Sequence, residues 1–390
     1  MIARPAVSAG SIPAGWILKP LKHNLRRLSD KGNGAGKVMA LENIEGWTGK
    51  ELETGSTFDG DGVKFQPDDL LFGKLRPYLA KVFLAREPGD AVGDLWALRP
   101  EPACDPKFMF YVLVNQMFID VVNGSTNGAK MPRAEWSYVG AIGVPTPPHG
   151  DQTAIANFLD RETGRLDGLI EKKTRFIALL KEKRAAVITH AVTKGIDPDA
   201  PMKESGNPWI GMVPKHWSVS PLKFLLARSL QYGATESGDT FRPEWPRYIR
   251  ITDITMSGKL REDGAKSLDP ALARPYLVKH GDLLLARSGA TVGKSFLYEG
   301  QDDDACFAGY MIRASADREK LLPAYLNFFF QSHTYWEFIL GTQSQSTIQN
   351  VSAEKYAGLP VTVPSLLEQI EICARLQAET GKIDGLMTLT

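Results

Sequence analysis

Residues 288–295 contain the residue types of a phosphate-binding loop, with glycines followed by Lys and Ser. Such a loop needs the spacing Gly-x-x-x-x-Gly-Lys-Ser/Thr between a strand and a helix, so that backbone N–H groups surround a phosphate. Here Ser288 occupies the first glycine position, and the apolar residues after Lys294 are typical of a second strand. The sequence therefore favours a glycine-containing hairpin that carries Arg287 and Lys294 over a nucleotide-binding loop.

No other set of residues has the spacing of a reactive or metal-binding site. The six histidines form no His-x-x-x-His pair, and the serines form no Gly-x-Ser-x-Gly motif. Residues 207–209, Asn-Pro-Trp, lack the second proline of a methyltransferase tetrad. Cys104, Cys306 and Cys373 form no Cys-x-x-Cys pair, which argues against a disulfide framework or a thiolate zinc site and fits a reducing cytosol. We therefore predict no catalytic residue, no metal and no cofactor.

Lysine and arginine side chains recur at corresponding places in the two halves of the chain. Duplex DNA carries one negative charge per roughly 1.7 Å, so a DNA-binding surface must present such cations close together. Loops rich in Gln, Asn and Ser can in addition pair with base edges, although a solvated surface loop is the alternative for each stretch. The candidates for contact with nucleic acid are Lys74, Arg76, Lys81, Lys130, Arg133, Arg287, Ser288, Lys294, Gln343, Ser344, Gln345 and Ser346.

The composition is that of a folded protein with room for two or three domains. Hydrophobic residues make up 43% of the 390 residues and charged residues 23%, and glycine and proline are scattered rather than periodic. The 46 Lys and Arg nearly balance the 45 Asp and Glu, so a polyanionic partner would have to be bound by local patches. No apolar run has the length of a signal-peptide core or of a bilayer-spanning helix, so secretion and membrane insertion are not expected.

An internal repeat divides the chain into two similar halves. Each half contains short apolar runs typical of strands and a few helical segments, among them residues 107–121 and 322–338, so the predicted fold class is α+β. The matched positions are Trp16 and Trp217, Asp69-Leu70-Leu71 and Asp282-Leu283-Leu284, and residues 162–169 and 379–386.

Apolar residues spaced three and four apart predict a long helix from about residue 151 to residue 192. Gly195 and Pro198 stand where such a helix would stop. A second helix is predicted to begin near Ser365 and Glu368, which have the spacing of a capping box, and it is shorter than the first. The apolar residues expected to face a partner helix or subunit are Ile155, Leu159, Leu166, Leu169, Ile177, Leu180, Val187, Ile383 and Leu386.

Two glycines four residues apart interrupt each of these helices. They are Gly164 and Gly168 in the first helix, and Gly381 and Gly385 in the second. Each glycine costs a helix about 1 kcal/mol relative to alanine. Two explanations stay open, a close approach of the two helices at this level or a simple bend.

Several segments together resemble the DNA specificity subunits of type I restriction-modification systems, and the resemblance covers nearly the whole chain. It is carried by residues 130–136 (Lys-Met-Pro-Arg-Ala-Glu-Trp), Pro147-Pro148 leading through Gln152 into residues 155–160, the linker 204–211 followed by Pro214 and His216-Trp217, and residues 281–289 (Gly-Asp-Leu-Leu-Leu-Ala-Arg-Ser-Gly). Each segment is moderately specific alone, and in this order the set is strongly specific.

The resemblance implies two similar target-recognition domains, each reading one half of a split and asymmetric DNA sequence, separated by long helices that form an antiparallel coiled-coil spacer. The expected boundaries are 1–150 for the first domain, 151–195 for the central spacer helix, 196–215 for a linker, 216–364 for the second domain and 365–390 for the second spacer helix. Two readers on a rigid spacer resemble a pseudo-dimer, so the half-sites are expected about 34 Å apart.

The implied partners are double-stranded DNA, methyltransferase (modification) subunits and restriction (translocase) subunits in a cytoplasmic complex. Those subunits would carry all the chemistry and would bind S-adenosylmethionine and ATP, so this chain would be a non-catalytic specificity subunit. It departs from the family in its shorter second helix. An alternative is therefore a truncated interaction scaffold of a restriction-modification complex with impaired assembly, and an enzyme built on residues 288–295 ranks third.

Overall fold

The computed structural model describes residues 12–32, 37–54, 62–126, 131–255, 258–301, 303–342 and 350–389. The chain divides into two compact units, Met1–Ile170 and Glu171–Thr390. Each unit combines small, mostly antiparallel sheets with helices, which confirms the α+β prediction. Within the described ranges, no helix is both long enough and apolar enough to cross a membrane.

The first unit is built from short strands and short helices that precede one long helix. Its strands are β1 Ile17–Pro20, β2 Leu25–Arg27, β3 Lys37–Met39, β4 Val63–Phe65, β5 Leu70–Gly73, β6 Val82–Leu84, β7 Gly89–Ala91, β8 Leu95–Pro100 and β9 Gly143–Thr146. Its α-helices before the long one are α1 Pro106–Val114, α2 Gln116–Gly124 and α3 Trp136–Val139, with 3-10 turns at Leu21–His23, Leu41–Asn43 and Pro77–Leu79. The sheets have the strand orders β2-β8-β5-β6, β3-β7-β4 and β1-β9.

Strand β5 is apolar throughout because both of its faces are buried. Leu70 and Phe72 pack in a core that includes α1 and α2. Leu71, which points to the opposite face, packs in a second core with Met39 and Phe65 of the neighbouring sheet. A strand covered on both sides has no need of polar residues, and this accounts for the continuous hydrophobic run in the sequence.

A single helix of 46 residues, α4, extends over His149–Lys194, close to the limits predicted from the sequence. At 1.5 Å per residue it is about 70 Å long. Gly195 follows it with a φ of 79°, the left-handed conformation that commonly ends a helix, and its N–H bonds to the Ala191 carbonyl. The side-chain amide of Gln152 anchors the start of α4, since it donates to the Pro147 carbonyl at 2.9 Å and accepts from the Asp105 N–H at 2.9 Å.

The second unit repeats the pattern of strands and helices. Its strands are β10 Met202–Glu204, β11 Met212–Pro214, β12 Ser218–Pro221, β13 Gln231–Tyr232, β14 Asp239–Thr240, β15 Arg247–Ile249, β16 Lys266–Ser267, β17 Asp282–Ala286, β18 Ser295–Leu297, β19 Ala305–Phe307, β20 Met311–Ser315 and β21 Pro360–Val363. Its helices are α5 Pro270–Ala273, α6 Pro323–Phe329, α7 His333–Thr342, α8 Ala353–Ala357 and α9 Leu366–Leu389, with 3-10 turns at Leu222–Leu225, Ile251–Asp253, Arg274–Tyr276 and Gly289–Thr291.

The sequence repeat corresponds to a repeat of topology. The second unit has a four-stranded sheet in the order β13-β20-β17-β18, which matches β2-β8-β5-β6, and it pairs β12 with β21 as the first unit pairs β1 with β9. Leu283 and Leu285 of β17 face one core and Leu284 faces another, as the corresponding residues of β5 do. The two halves therefore share these parts of the fold, whereas the other sheet has three strands in the first unit (β3-β7-β4) and four in the second (β14-β16-β15-β19), which also has the added pair β10-β11.

Two predicted helical segments are each broken into two helices. Residues 107–121 form nearly all of α1 and most of α2, because the Asn115 side chain accepts the Met117 N–H at 2.9 Å and caps a new helix. Residues 322–338 divide between α6 and α7, where the Ser332 hydroxyl accepts the Tyr335 N–H at 3.3 Å. Both segments are helical as predicted, and each is divided because these polar residues offer the backbone an alternative partner.

The glycine pairs of α4 and α9 mark no close approach inside either unit. Within the described residues of its own unit, a Cβ atom built on Gly164, Gly168, Gly381 or Gly385 would meet no atom within 4 Å. Whether the two helices approach each other at this level stays an open explanation, as does a simple bend.

Candidate nucleic-acid interface

Two loops occupy equivalent positions in the two units, and we name residues 74–81 the first loop and residues 287–294 the second loop. The Lys74 N–H donates to the Asp94 carbonyl at 2.9 Å, and the Arg287 N–H donates to the Tyr310 carbonyl at 3.0 Å. At the other end of each loop, the Gly73 N–H donates to the Lys81 carbonyl at 2.9 Å, and the Ala286 N–H donates to the Lys294 carbonyl at 2.8 Å. Lys74 thus corresponds to Arg287, and Lys81 to Lys294.

Each loop also pairs with the segment that precedes the short helix α3 or α8. The Ala134 N–H donates to the Lys74 carbonyl and the Val351 N–H donates to the Arg287 carbonyl, both at 2.9 Å. Isolated bridges join Leu75 to Arg133 in the first unit and Ser288 to Asn350 in the second. The fold therefore brings the candidates Lys74, Arg76 and Arg133 together in one unit, and Arg287, Ser288 and Lys294 together in the other.

The glycines of the second loop serve backbone geometry. Gly289 and Gly293 have φ values of 77° and 86°, and the first loop has Arg76 and Ala80 in the same left-handed region at 50° and 46°. An L-residue costs roughly 1–2 kcal/mol in this region, whereas glycine adopts it freely. The second loop connects two antiparallel strands of one sheet, β17 and β18, and no helix follows Lys294. The predicted hairpin is present in place of a phosphate-binding loop.

The first unit holds most of its candidate cations in internal contacts. The Asp94 carboxylate lies 3.0 Å from Arg133 Nη2 and 3.7 Å from Lys74 Nζ. Lys81 Nζ donates to the Leu41 carbonyl at 2.7 Å. Arg76 is exposed, and its guanidinium has no hydrogen-bond or ion-pair partner among the described residues. One cation of the first loop is therefore available to an external anion or base edge.

The second unit presents aromatic rings beside its loop. The Arg287 guanidinium lies 4.7 Å from the centre of the Tyr232 ring, and its Nη1 donates to the Gly309 carbonyl at 3.4 Å. Its Nε is buried and has no partner in the described part of the chain. Tyr310, which occupies the position of Asp94, is 68% exposed. The second loop thus combines a stacked arginine with an exposed phenol, where the first loop has a carboxylate.

The strand segment that carries Tyr232 is fixed by a buried tyrosine. The Tyr248 hydroxyl donates to the Ala234 carbonyl at 3.2 Å and to the Glu236 carbonyl at 2.7 Å. Burial raises the pKa of Tyr248 to about 12, so the phenol stays protonated and keeps donating at neutral pH. Residues 231–236 are therefore held in place beside the second loop.

Some predicted residues cannot be assigned to this surface. Lys130 and residues 343–346 (Gln343, Ser344, Gln345 and Ser346) lie outside the described residues. Sequence reasoning missed Asp94, Tyr232 and Tyr310, because their importance depends on which loop they lie beside. The signal available was the repeat itself, which aligns Asp94 with Tyr310 just before β8 and β20.

The predicted spacer residues divide into buried and exposed groups. Leu180 and Ile383 are buried, and Val187 packs partly against the core of the second unit. Ile155, Leu159 and Ile177 are half-buried. Leu166, Leu169 and Leu386 are 50%, 42% and 47% exposed, so the structure leaves these apolar side chains largely uncovered within this chain.

Within the second unit, the end of α4 and α9 run antiparallel. Arg184 Nε donates to Asp384 Oδ1 at 2.9 Å near one end, and Arg375 Nη1 donates to the Ile196 carbonyl at 3.3 Å near the other. The longer coiled-coil spacer stays a prediction, because these contacts involve only the last part of α4.

The described residues include no group of three or more His, Cys, Asp or Glu side chains that could hold a metal ion. The three cysteines are unpaired and buried. Burial raises the pKa of Cys306 to about 12 and that of Cys373 to about 11, so both thiols stay protonated and unreactive at neutral pH.

No protein-family model matches the chain. Comparison with known proteins nevertheless finds relatives of one kind. The specificity subunit of the type I restriction enzyme StySPI from Salmonella potsdam is 22% identical over 396 residues, covering 95% of this chain and 83% of the relative. That of EcoBI from Escherichia coli is also 22% identical over 396 residues, covering 95% of this chain and 77% of the relative.

A solved structure concerned with complex assembly and conformational transition of the type I R-M system has the same fold. It matches with a TM-score of 0.76 at 15% sequence identity, over 97% of this chain and 94% of that chain. The duplicated architecture and these likenesses agree, and over 95% of its length this chain is similar to type I restriction enzyme specificity subunits.

Proposed function

We propose that this chain reads an asymmetric, bipartite DNA target, one half with each unit, and directs modification and restriction subunits to it. The proposal rests on the two equivalent loops. They have the same backbone conformation and the same backbone hydrogen bonds, but they carry different cationic and aromatic side chains at equivalent positions. The chain itself performs no chemistry in this proposal, and S-adenosylmethionine and ATP bind to the partner subunits.

The differences between the loops support an asymmetric target. Sequence is read by side chains that reach base edges, and an arginine fork, a carboxylate and a phenol have different hydrogen-bonding patterns. Where the first unit has Lys74 and Asp94, the second has Arg287 and Tyr310. Two identical half-sites would not satisfy both sets, so we expect the halves of the target to differ in sequence.

We further propose that the exposed apolar residues of α4 receive partner subunits or a spacer helix. Leu166, Leu169, Ile170, Phe176 and Leu179 are between 42% and 63% exposed along one stretch of the helix. Side chains of this size on a soluble helix usually lie against another apolar surface. The spacing between the half-sites stays a prediction from the sequence, as do the domain boundaries given above.

A cytoplasmic location is part of the proposal, and three unpaired buried cysteines support it. An interaction scaffold without target recognition is less well supported, because exposed side chains suited to DNA lie in the first loop and beside the second. These are Arg76 and Tyr78 in the first unit, and Tyr310 beside the second loop.

The test is to map modified bases across the genome of the source cell with and without this gene. We expect methylation of one split, asymmetric sequence in the wild type and its loss on deletion, with restoration by the full-length chain. Co-purification of the chain with a methyltransferase subunit should accompany this result. A methylation pattern that is unchanged on deletion would refute target recognition by this chain.

A further inference from the structure

We propose that Arg76 is the base-reading residue of the first unit and contacts the N7 and O6 edge of a guanine in its half-site. The inference rests on the proposed function, and it adds which side chain of the first loop carries target preference. It stands on the backbone of Arg76, on the partners of its neighbours and on the chemistry of the guanidinium group.

The backbone of Arg76 is one that an L-residue adopts at a cost. Its φ is 50° and its ψ is 61°, in the left-handed region, and the equivalent position of the second loop is Gly289 at a φ of 77°. A Cβ built on Gly289 would meet nothing within 4 Å, so the glycine avoids strain rather than a clash. The first unit therefore has a large side chain, that of Arg76, at a position where the second unit has a glycine.

The side chain of Arg76 has no structural task within the described chain. Lys74 and Arg133 share the Asp94 carboxylate, and Lys81 bonds to a backbone carbonyl. Arg76 is exposed, with no described hydrogen-bond or ion-pair partner. Strained residues cluster at functional sites, and an exposed guanidinium on such a backbone points to an external partner.

The loop holds the Arg76 backbone firmly. The Arg76 N–H donates to the Pro132 carbonyl at 2.8 Å, and the Arg76 carbonyl accepts the Leu79 N–H at 3.0 Å. Pro77 follows with its fixed φ. A fixed backbone limits the positions that the guanidinium can reach.

The planar fork of arginine suits a guanine edge. Held in a defined orientation, it can donate two parallel bonds to guanine N7 and O6, the commonest specific contact with a base, and the salt dependence of the variants below distinguishes this from a phosphate contact. Tyr78, which is 45% exposed, stands two residues away and can cover the contact from water.

Three variants of the full-length chain, each assembled with its modification subunits, test the proposal. Arg76→Gly removes the side chain and the strain, Arg76→Lys keeps the charge without the fork, and Ala80→Gly relieves the second left-handed position of the same loop without touching a cation. Affinity is measured by titration of labelled duplexes that carry the mapped target, the target with each base pair replaced in turn, and a scrambled sequence.

We expect Arg76→Gly to bind the target roughly 5- to 150-fold more weakly, with no loss of thermal stability, and to become indifferent to one guanine of one half-site. Arg76→Lys should lose the same base preference but keep the salt dependence of the wild type. Ala80→Gly should bind within twofold of the wild type with every base preference intact.

Two results would overturn the inference while leaving the proposed function standing. One is a wild-type complex that discriminates the target and an Arg76→Gly complex that discriminates equally well. The other is an equal loss on every duplex together with a shallower salt slope, which would make Arg76 a phosphate contact. A wild-type complex that prefers no duplex would instead count against the proposed function.

Discussion

The first and second loops share a backbone and differ in what they expose. Both have two left-handed positions and the same bonds to the neighbouring strand, but one surrounds Asp94 with cations and the other stacks Arg287 on Tyr232. The fold constrains the strands and the turn geometry, which therefore repeat. Side chains outside those constraints are free to diverge, as the proposed reading of two different half-sites requires.

A buried carboxylate stands at the start of the central strand of each unit, Asp69 just before β5 and Asp282 as the first residue of β17, and its partners differ. Asp282 accepts the Ser315 hydroxyl at 2.5 Å and lies 3.9 Å from Arg313, whose side chain is only 5% exposed. Burial lowers the pKa of Arg313, and Asp282 opposes that effect. Asp69 instead pairs with Arg99 through two bonds of 2.8 and 2.7 Å, and Arg99 is 34% exposed.

Removing these carboxylates should give the largest effect and should separate the two units. Asp282→Ala is expected to lower the free energy of unfolding by about 3–5 kcal/mol, because it leaves Arg313 buried without its counter-charge. Asp69→Ala should cost about 1–3 kcal/mol, because Arg99 can reach water. Denaturant titrations of the full-length variants check both values, and equal losses would mean that the difference in burial has no energetic consequence.

The second left-handed position of each loop gives the next effect. Gly293→Ala should cost about 2–4 kcal/mol, because φ is 86° and a Cβ would lie 2.7 Å from the Trp336 ring. Ala80→Gly should change stability by less than about 1 kcal/mol, because the loss of a buried methyl group offsets the relief of strain. Thermal unfolding measures both changes. A loss of stability above about 1 kcal/mol for Ala80→Gly would contradict the structural equivalence of the two loops.

The smallest effect is expected at Asp94, where the second unit has Tyr310 in place of the carboxylate. Asp94→Asn frees Lys74 and Arg133 for phosphate, so the slope of log affinity against log salt on a non-target duplex should steepen by about one to two units. Asp120→Asn makes the same charge change on α2, where the carboxylate accepts from the Gln116 amide and holds no described cation, and it serves as the control. Identical slopes for the two variants would show that Asp94 does not hold these cations back from DNA.

Much of the architecture could be predicted from the sequence, because it depends on local pattern. The match of Asp69-Leu70-Leu71 with Asp282-Leu283-Leu284 identified the central strand of each sheet. Helical spacing and Gly195 identified α4 and its end. Both signals lie within a short stretch of chain, where periodicity and turn residues are informative.

The arrangement of the candidate interface could be predicted less well from the sequence. Arg133 pairs with Asp94, 39 positions earlier, and Arg287 stacks on Tyr232 far upstream in the chain. Such contacts depend on how strands are ordered in the sheet, which composition and spacing do not reveal. The sequence therefore indicated which loops carry cations, but it did not show that Asp94 contacts two of them while Arg76 has no side-chain partner among the described residues.

The central claim is that each unit reads its own half of the target, and base-by-base specificity profiles of two variants test it most directly. The full-length chain, assembled with its modification subunits, is compared with Arg76→Gly and Arg287→Ala on a library of duplexes randomised at every target position. We expect each variant to relax preference at positions in one half only, and the two variants to affect opposite halves. Relaxation of the same half by both variants, or of all positions equally, would contradict the account.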